Sequence, residues 1–287
     1  MYSAITFIWA VGAYTLLFTS PALKIEDLTP AWDLLIFPFM LCGTLAASGA
    51  EYQPAYQAVP MIVAGLTAQG LGFITSILMY ASYIRRMVQF GFPGANARPA
   101  MFIAMRPPSF TSLAILGMAN DWPRVHVNYF GDGIYDQDVL SSGQQQLVAI
   151  QILRVLASMT AVFIWSLYAW FFAIAVIACV RGAREMSFHF DFRAFVFPNT
   201  GFVIATISVG KVFRSSGVLW VGSVMSCGIV ATWLFVAFCH VRAVWNRKIL
   251  WQGKDEDVYV RTARMKTEKM EGVGKRSDGI GDVEKQD

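Results

Sequence analysis

Charged side chains are scarce in this chain, and cysteine and histidine, which form many catalytic and metal-binding sites, are scarcer still. Asp, Glu, Lys and Arg make up 15% of its 287 residues, whereas a soluble domain carries about a quarter. The four cysteines all lie inside apolar runs, and the three histidines adjoin no cysteine or carboxylate cluster. We therefore predict no disulfide framework, no metal site and no cofactor. The net charge of +4 lies mostly in loops beside apolar runs, so it does not indicate a nucleic-acid partner.

Apolar residues, in contrast, are abundant and arranged in long runs. They make up 56% of the chain, and the mean hydropathy is +0.49. A run of roughly 20 apolar residues is the length that an α-helix needs to cross the hydrocarbon core of a bilayer. Because such runs recur, the sequence predicts an all-α polytopic membrane protein whose partner is the lipid bilayer. Seven spans can be counted, at 2–20, 30–49, 57–83, 100–119, 147–180, 187–208 and 218–241.

Prolines divide these spans into two alternating kinds. The second, fourth and sixth spans contain Pro38, the pair Pro107 and Pro108, and Pro198, whereas the third, fifth and seventh lack proline beyond their first turns. A proline inside a helix removes a hydrogen bond and bends the helix. We expect kinked inner helices, each followed by a straighter helix that faces lipid. An alternative stays open, because proline is commoner in membrane helices than in soluble ones.

The sixth span is the most informative stretch. Its break is formed by Phe197 and Pro198, and a freed backbone carbonyl is tolerated in lipid only where the helix faces protein or a watery cavity. Helical spacing predicts that Arg193 shares a face with Phe197, so that its charge would attract anions in a conduction path. Arg193 could equally be an arginine that extends to the membrane interface. The same face continues through Thr200, Ile204 and Ser208.

Lys and Arg in the short loops predict the orientation. If the C-terminus is cytoplasmic, the inner loops hold six basic residues and the outer loops hold three, as the positive-inside rule requires. From residue 253 to 287 the sequence is polar and of mixed charge, which predicts a disordered cytoplasmic tail after a transmembrane domain of residues 1–252.

Four stretches resemble a known family. They are FPFMLCGTLAAS from residue 37, MFIAMRPPSFTSLAILGM from residue 101, FVFPNTGFVIATI from residue 195 and VWNRKILWQGKDED from residue 244. They are similar to the fungal branch of the tellurite-resistance/dicarboxylate transporter family. That branch includes malic acid (C4-dicarboxylate) transporters and sulfite efflux pumps, and it is related to plant slow anion channels and thus to voltage-dependent anion channels.

The resemblance implies ten helices in five hairpins about a pseudo-fivefold pore, in subunits that form homotrimers. The seven spans then correspond to helices four to ten, and the proline-containing spans become pore helices. The gating phenylalanine of the family falls on Phe197, and Phe37, Arg106 and Phe110 become pore-lining candidates. The family's first three helices have no counterpart, which implies an N-terminally incomplete transporter domain. Arg106 stands where the family usually has glycine, so it could also obstruct the path.

The resemblance implies a transporter of organic anions, with malate as the expected substrate and sulfite or another small anion as the alternative. A membrane-embedded enzyme is not expected, because no intramembrane cluster of His, Asp or Ser is present. Two other classes stay open, a seven-span receptor and a fragment that transports nothing. The plasma membrane is the location that the family implies.

Three smaller expectations concern packing. Gly65, Gly70 and Gly72 suggest close contact of the third span with another helix. Asp33 is expected near the water boundary. The aromatic run from Trp165 to Phe172 is expected to face lipid.

Overall fold

The computed structural model describes residues 1–19, 25–129, 143–186, 188 and 190–246. Within these ranges the chain forms α-helices and 3-10 helices, with no strand. It is an all-α membrane protein, as the sequence predicts, because helices satisfy their own backbone hydrogen bonds where water is absent. The α-helices are α1 (Tyr2–Thr19), α2 (Phe37–Gly49), α3 (Ala55–Phe90), α4 (Arg106–Tyr129), α5 (Gly143–Gly182), α6 (Phe197–Val212) and α7 (Ser216–Trp245).

Five helical segments of the described chain have the length and hydropathy needed to cross a membrane. They correspond to the first, third, fifth, sixth and seventh predicted spans. The second and fourth predicted spans are helical as well, but each consists of a 3-10 helix followed by an α-helix. The 3-10 helix Pro30–Leu35 precedes α2, and the 3-10 helix Ala95–Met105 precedes α4.

The sixth span is divided in the same way, since the 3-10 helix Phe190–Phe195 precedes α6. The helices between the divided ones are continuous, with 36 residues in α3, 40 in α5 and 30 in α7. The alternation of the prolines is therefore an alternation of divided and continuous helices.

Small residues allow α2 to approach α3 closely. A Cβ atom placed on Gly65 would collide with the side chain of Ala46, and one placed on Gly72 would lie 2.6 Å from the Cβ of Met40. Both glycines are in close contact with a neighbouring helix, as the sequence predicts. The prediction fails at Gly70, where a Cβ atom would have nothing within 4 Å.

A buried polar contact joins α3 to α4. The Nε2 of Gln69 donates a hydrogen bond of 2.7 Å to the Oγ1 of Thr111, and both side chains are buried. On the far side of α4, the Ser112 hydroxyl donates to the backbone carbonyl of Ala161 in α5. α4 also packs against α2 and α6, so it is the central helix of the described bundle.

The prediction that the aromatic run of α5 faces lipid agrees with Trp170, which is 47% exposed, but it is wrong for the buried members of the run. Tyr168 is 0% exposed and Phe171 is 3% exposed, and both belong to the main hydrophobic core. The ring of Tyr168 meets that of Phe202 in α6 with 4.6 Å between centroids. The indole Nε1 of Trp165 donates to the Thr206 hydroxyl at 3.0 Å. Because a buried indole needs an acceptor, this bond fixes α5 against α6.

The chain divides into two compact units. Among the described residues, the first unit lies within 1–186 and 191–235, and the second consists of 188, 190 and 236–246. In the second unit the ring of Phe188 packs edge-on against that of His240, with 5.5 Å between centroids. The predicted tail of residues 253–287 lies outside the described residues. Every feature of the candidate site belongs to the first unit.

Candidate functional site

The divided helices share one local arrangement at their prolines. Pro38, Pro107 and Pro198 are each the second residue of an α-helix, and a 3-10 helix ends just before each of them. Proline is tolerated in the first turn because the amide proton that it lacks would have no acceptor within the helix. Before each proline a 3-10 hydrogen bond closes the preceding turn, from Ile36 to Asp33, from Arg106 to Ile103 and from Val196 to Arg193.

Side chains that follow the prolines bind carbonyls at the breaks. The Oγ of Ser109 donates to the Met105 carbonyl at 2.6 Å, and the Nδ2 of Asn199 donates to the Phe195 carbonyl at 2.7 Å. An exposed carbonyl in the hydrocarbon region costs several kcal/mol. These two side chains thus bind the last carbonyl of the 3-10 helix that precedes α4 and of the one that precedes α6.

The first residues of the three divided α-helices meet. The guanidinium carbon of Arg106 lies 4.6 Å from the ring centroid of Phe197 and 5.6 Å from that of Phe37. The ring of Phe110, one turn further along α4, is 5.4 Å from that of Phe37 and 6.2 Å from that of Phe197. We call these four residues the arginine–aromatic cluster. Sequence reasoning named all four as site candidates, and the tertiary structure brings them together.

A stripe of more exposed residues leads away from the cluster along each of the three α-helices. On α6, Phe197 is 49% exposed and Ile204 is 47% exposed, whereas Phe202, on the opposite face, is buried. The spacing of three or four residues keeps each stripe on one face of its helix. The three stripes are Leu41, Leu45 and Ser48 on α2 (which follow the buried Phe37), Arg106, Phe110, Leu113 and Gly117 on α4, and Phe197, Thr200, Ile204 and Ser208 on α6.

The structure places the remaining site candidates as follows. Thr200 is exposed and its hydroxyl donates to the Val196 carbonyl at 3.0 Å, so its proton is already engaged within the helix. Ser208 is half-buried. Arg193 is exposed but belongs to the 3-10 helix before α6. Its position relative to Phe197 therefore does not follow from α-helical spacing alone.

Close packing holds α6 against the cluster. A Cβ atom added to Gly201 would lie 3.2 Å from the Phe110 ring and 3.3 Å from the Cβ of Ser109. A larger residue at this position would require Phe110 or Ser109 to shift by a few tenths of an ångström. Gly201 thus allows close contact between α6 and α4 beside the cluster.

Asp33 is the residue that sequence reasoning placed wrongly. It was expected near the water boundary, but it is 2% exposed. Its Oδ2 accepts a hydrogen bond of 3.3 Å from the Tyr80 hydroxyl, and its charge acts electrostatically on Arg106. Nothing in the local sequence marks Asp33 as buried, because its burial depends on α3 and on the 3-10 helix before α4.

The described part of the chain also contains a cavity of about 220 Å³, which is lined mainly by apolar and aromatic side chains. It contacts α6 through Asn199, Phe202 and Val203, which lie on the opposite face of that helix from the stripe. The cavity is therefore separate from the arginine–aromatic cluster. A search of the described residues also finds no group of His, Cys, Asp and Glu that could hold a metal ion.

Residues 1–241 match the family model described as voltage-dependent anion channel. The chain belongs to the voltage-dependent anion channel family. The resemblance that the four sequence stretches indicate is thereby confirmed. Voltage-dependent anion channels move ions without making or breaking a covalent bond, so the chain belongs to a family of channels and transporters rather than enzymes.

Two curated relatives of this anion channel family come from Schizosaccharomyces pombe. The chain is 31% identical over 262 residues to a malic acid transport protein and 32% identical over 261 residues to a putative malic acid transport protein. Each comparison covers 90% of this chain but 57% of the relative, so the chain spans little more than half the length of the curated relatives it matches. No solved structure matches the chain.

Proposed function

We propose that the chain transports organic anions across a membrane, with C4-dicarboxylates such as malate as the substrates. The main support for this proposal is that the first residues of α2, α4 and α6 lie close together at the guanidinium of Arg106. Arg106 supplies positive charge, and Phe37, Phe110 and Phe197 surround it with aromatic rings. A cation beside a hydrophobic constriction is an arrangement that selects and gates anions in pores.

The path that we propose runs along the three stripes, with Phe197 as the gate. The Phe197 ring contacts both Arg106 and Phe110, so it is directed towards α4 and the other stripes. Arg106 needs contact with protein groups or water in such a path, because inserting a charge at the middle of a membrane costs about 2.5–3.5 kcal/mol of free energy. Arg193, Thr200, Ile204 and Ser208 line the same path in this proposal. The names of the S. pombe relatives support malate as the substrate.

Three features of the assembled protein belong to the same proposal. The subunits form a homotrimer, the protein lies in the plasma membrane, and its C-terminus is cytoplasmic. The first two rest on the family resemblance, and the third on the excess of Lys and Arg in the predicted inner loops. Native mass spectrometry of the purified protein tests the trimer. Accessibility of a C-terminal tag in intact cells tests the orientation.

The function is tested by reconstituting the full chain into liposomes and measuring uptake of radiolabelled L-malate. We expect uptake above that of empty liposomes, and we expect unlabelled succinate to compete with it. Unlabelled sulfite and chloride in parallel assays identify the small-anion alternative. Uptake of malate equal to that of empty liposomes, under conditions where the protein is shown to be folded and inserted, would contradict the proposal.

A further inference from the structure

Arg106 is held by aromatic rings in place of oxygen acceptors. Its guanidinium stands over the rings of Phe197 and Phe37, in the geometry of a cation–π interaction. Among the residues that the structure describes, the guanidinium donates no hydrogen bond, and its Nε is buried without an acceptor. A guanidinium has five N–H donors in a planar fork. The four N–H groups on the two Nη atoms are therefore the donors that a ligand with oxygen atoms can reach.

The nearby carboxylate of Asp33 does not take up these donors. Its Oδ2 accepts a hydrogen bond from Tyr80, and Ser76 is a second side-chain hydrogen-bond partner of the carboxylate. The two charges attract each other, but they form no ion pair in the described structure. The protein thus holds a cation and an anion within electrostatic range, and the cation keeps unused hydrogen-bond donors.

We propose that Arg106 is a binding site for a carboxylate or a similar planar oxyanion, and that the anion competes with the Phe197 ring for the guanidinium. This inference rests on the proposed transport function and adds a specific role to Arg106. A guanidinium binds a carboxylate through two parallel N–H···O bonds. Such charge-assisted bonds are about twice as strong as neutral ones, so an arriving carboxylate can replace a phenyl ring.

Because the anion and the Phe197 ring compete for Arg106, binding of the anion opens the constriction at the arginine–aromatic cluster. While Arg106 is turned towards an anion, Phe197 loses its contact with the guanidinium and keeps its contact with the Phe110 ring on α4. The ring is already half exposed, so it can turn away without breaking a packed core. Asp33 acts on Arg106 from the protein side and weakens its net attraction for the anion, which allows the anion to leave. A transport site must bind weakly enough to release its ion.

The fork geometry also predicts which anions are favoured. A carboxylate offers two oxygens at the spacing of two guanidinium N–H groups, whereas chloride offers one acceptor centre. Lysine carries the same charge without the planar fork. Arg106→Lys should therefore keep an attraction for anions in general and lose the preference for carboxylates over chloride.

The test measures binding of sodium L-malate to the purified full chain in lipid nanodiscs by isothermal titration calorimetry. We expect Phe197→Leu, which keeps an apolar side chain and removes the ring, to tighten malate binding by about 2- to 5-fold. Arg106→Gln should weaken binding by about tenfold or more. Arg106→Lys should lower the ratio of malate affinity to chloride affinity. Phe163→Leu and Arg181→Gln, at exposed positions of α5, should bind malate as the wild type does.

Unchanged or weaker malate binding by Phe197→Leu would overturn the competition, and wild-type binding by a folded Arg106→Gln would overturn the site. Absence of malate binding to the wild type would overturn both. Because Phe197 is half exposed, its variant tests the proposal even where Arg106→Gln does not fold. Binding that follows the expected pattern without liposome uptake would contradict the transport function alone. Uptake that is insensitive to Arg106 variants would contradict this inference alone.

Discussion

The guanidinium carbon of Arg106 lies 4.6 Å from the centroid of the Phe197 ring, and this contact joins the first residues of α4 and α6. Each residue directly precedes a proline, and each stands where a 3-10 helix becomes an α-helix. A third such residue, Phe37, has its ring centroid 5.6 Å from the same guanidinium carbon. Three breaks in three helices therefore occur at one level of the bundle. The guanidinium of Arg106, at one of these breaks, contacts the aromatic residues at the other two.

Removing the gate should increase anion flux. Phe197→Ala takes away the ring that contacts Arg106 and Phe110, so the constriction at the cluster becomes wider. We expect malate uptake by reconstituted liposomes to rise several-fold. Phe163→Ala is the matched control, because Phe163 is 78% exposed on α5 and belongs to none of the stripes. Equal uptake by the two variants would remove Phe197 from the proposed path.

Removing the charge of Arg193 should lower anion flux. If this exposed side chain lies beside the path, Arg193→Ala reduces the local positive potential that attracts anions. The expected change is a lower rate of malate uptake that becomes smaller at high ionic strength, since salt screens exposed charges. Arg181→Ala, at the end of α5, is the control. A rate equal to that of the control would assign Arg193 to the membrane interface instead.

Close packing of α2 on α3 should make Gly65 sensitive to substitution. A methyl group there would collide with Ala46 and approach the Cys42 carbonyl to 3.2 Å, and overpacking of this kind costs about 1–3 kcal/mol. We expect Gly65→Ala to lower the thermal unfolding temperature in detergent.

The matched control for Gly65 lies on the same helix. Gly70→Ala adds a methyl group where nothing lies within 4 Å, and replacing a helical glycine with alanine gains roughly 0.5–1 kcal/mol. Its unfolding temperature should equal or exceed that of the wild type. The same change in both variants would show that helix propensity, and not helix contact, sets the effect at Gly65.

The hydrogen bond between Gln69 and Thr111 should stabilise the bundle. Thr111→Val has nearly the same shape and leaves the buried Nε2 of Gln69 without an acceptor, which costs about 1–3 kcal/mol. A lower unfolding temperature is expected. Thr67→Val is the control, because Thr67 is exposed on α3 and its hydroxyl is bonded to its own helix. No difference between the two variants would mean that the buried bond contributes little to stability.

The positions of the prolines and the lengths of the apolar runs were sufficient to predict the helices. Both are local properties, since the bilayer fixes the length of a span and proline fixes where an α-helix can begin. The predicted spans agree with the helices of the structure to within several residues at most ends. The alternation of the prolines predicted bends in three spans, and the structure forms each of those spans as a 3-10 helix followed by an α-helix.

The same local reasoning could not determine burial. In a membrane protein the lipid-facing and core-facing surfaces of a helix are both apolar, so hydropathy does not distinguish them. Tyr168 and Phe171 were therefore expected to face lipid, and only the packing of α5 against its neighbours shows them in the core. Asp33 was misplaced for a related reason, because its burial depends on Tyr80 and on other residues distant in the sequence.

The sequence by itself determined that this chain is helical and spans a membrane, and its motifs identified the family and the four residues of the arginine–aromatic cluster as candidates. Only the tertiary structure decided that the guanidinium of Arg106 contacts the rings of both Phe37 and Phe197, with Asp33 buried in electrostatic range of it. The physical reason is that spacing along one helix fixes a face of that helix. The meeting of faces from different helices depends on close packing at glycines such as Gly65 and Gly201.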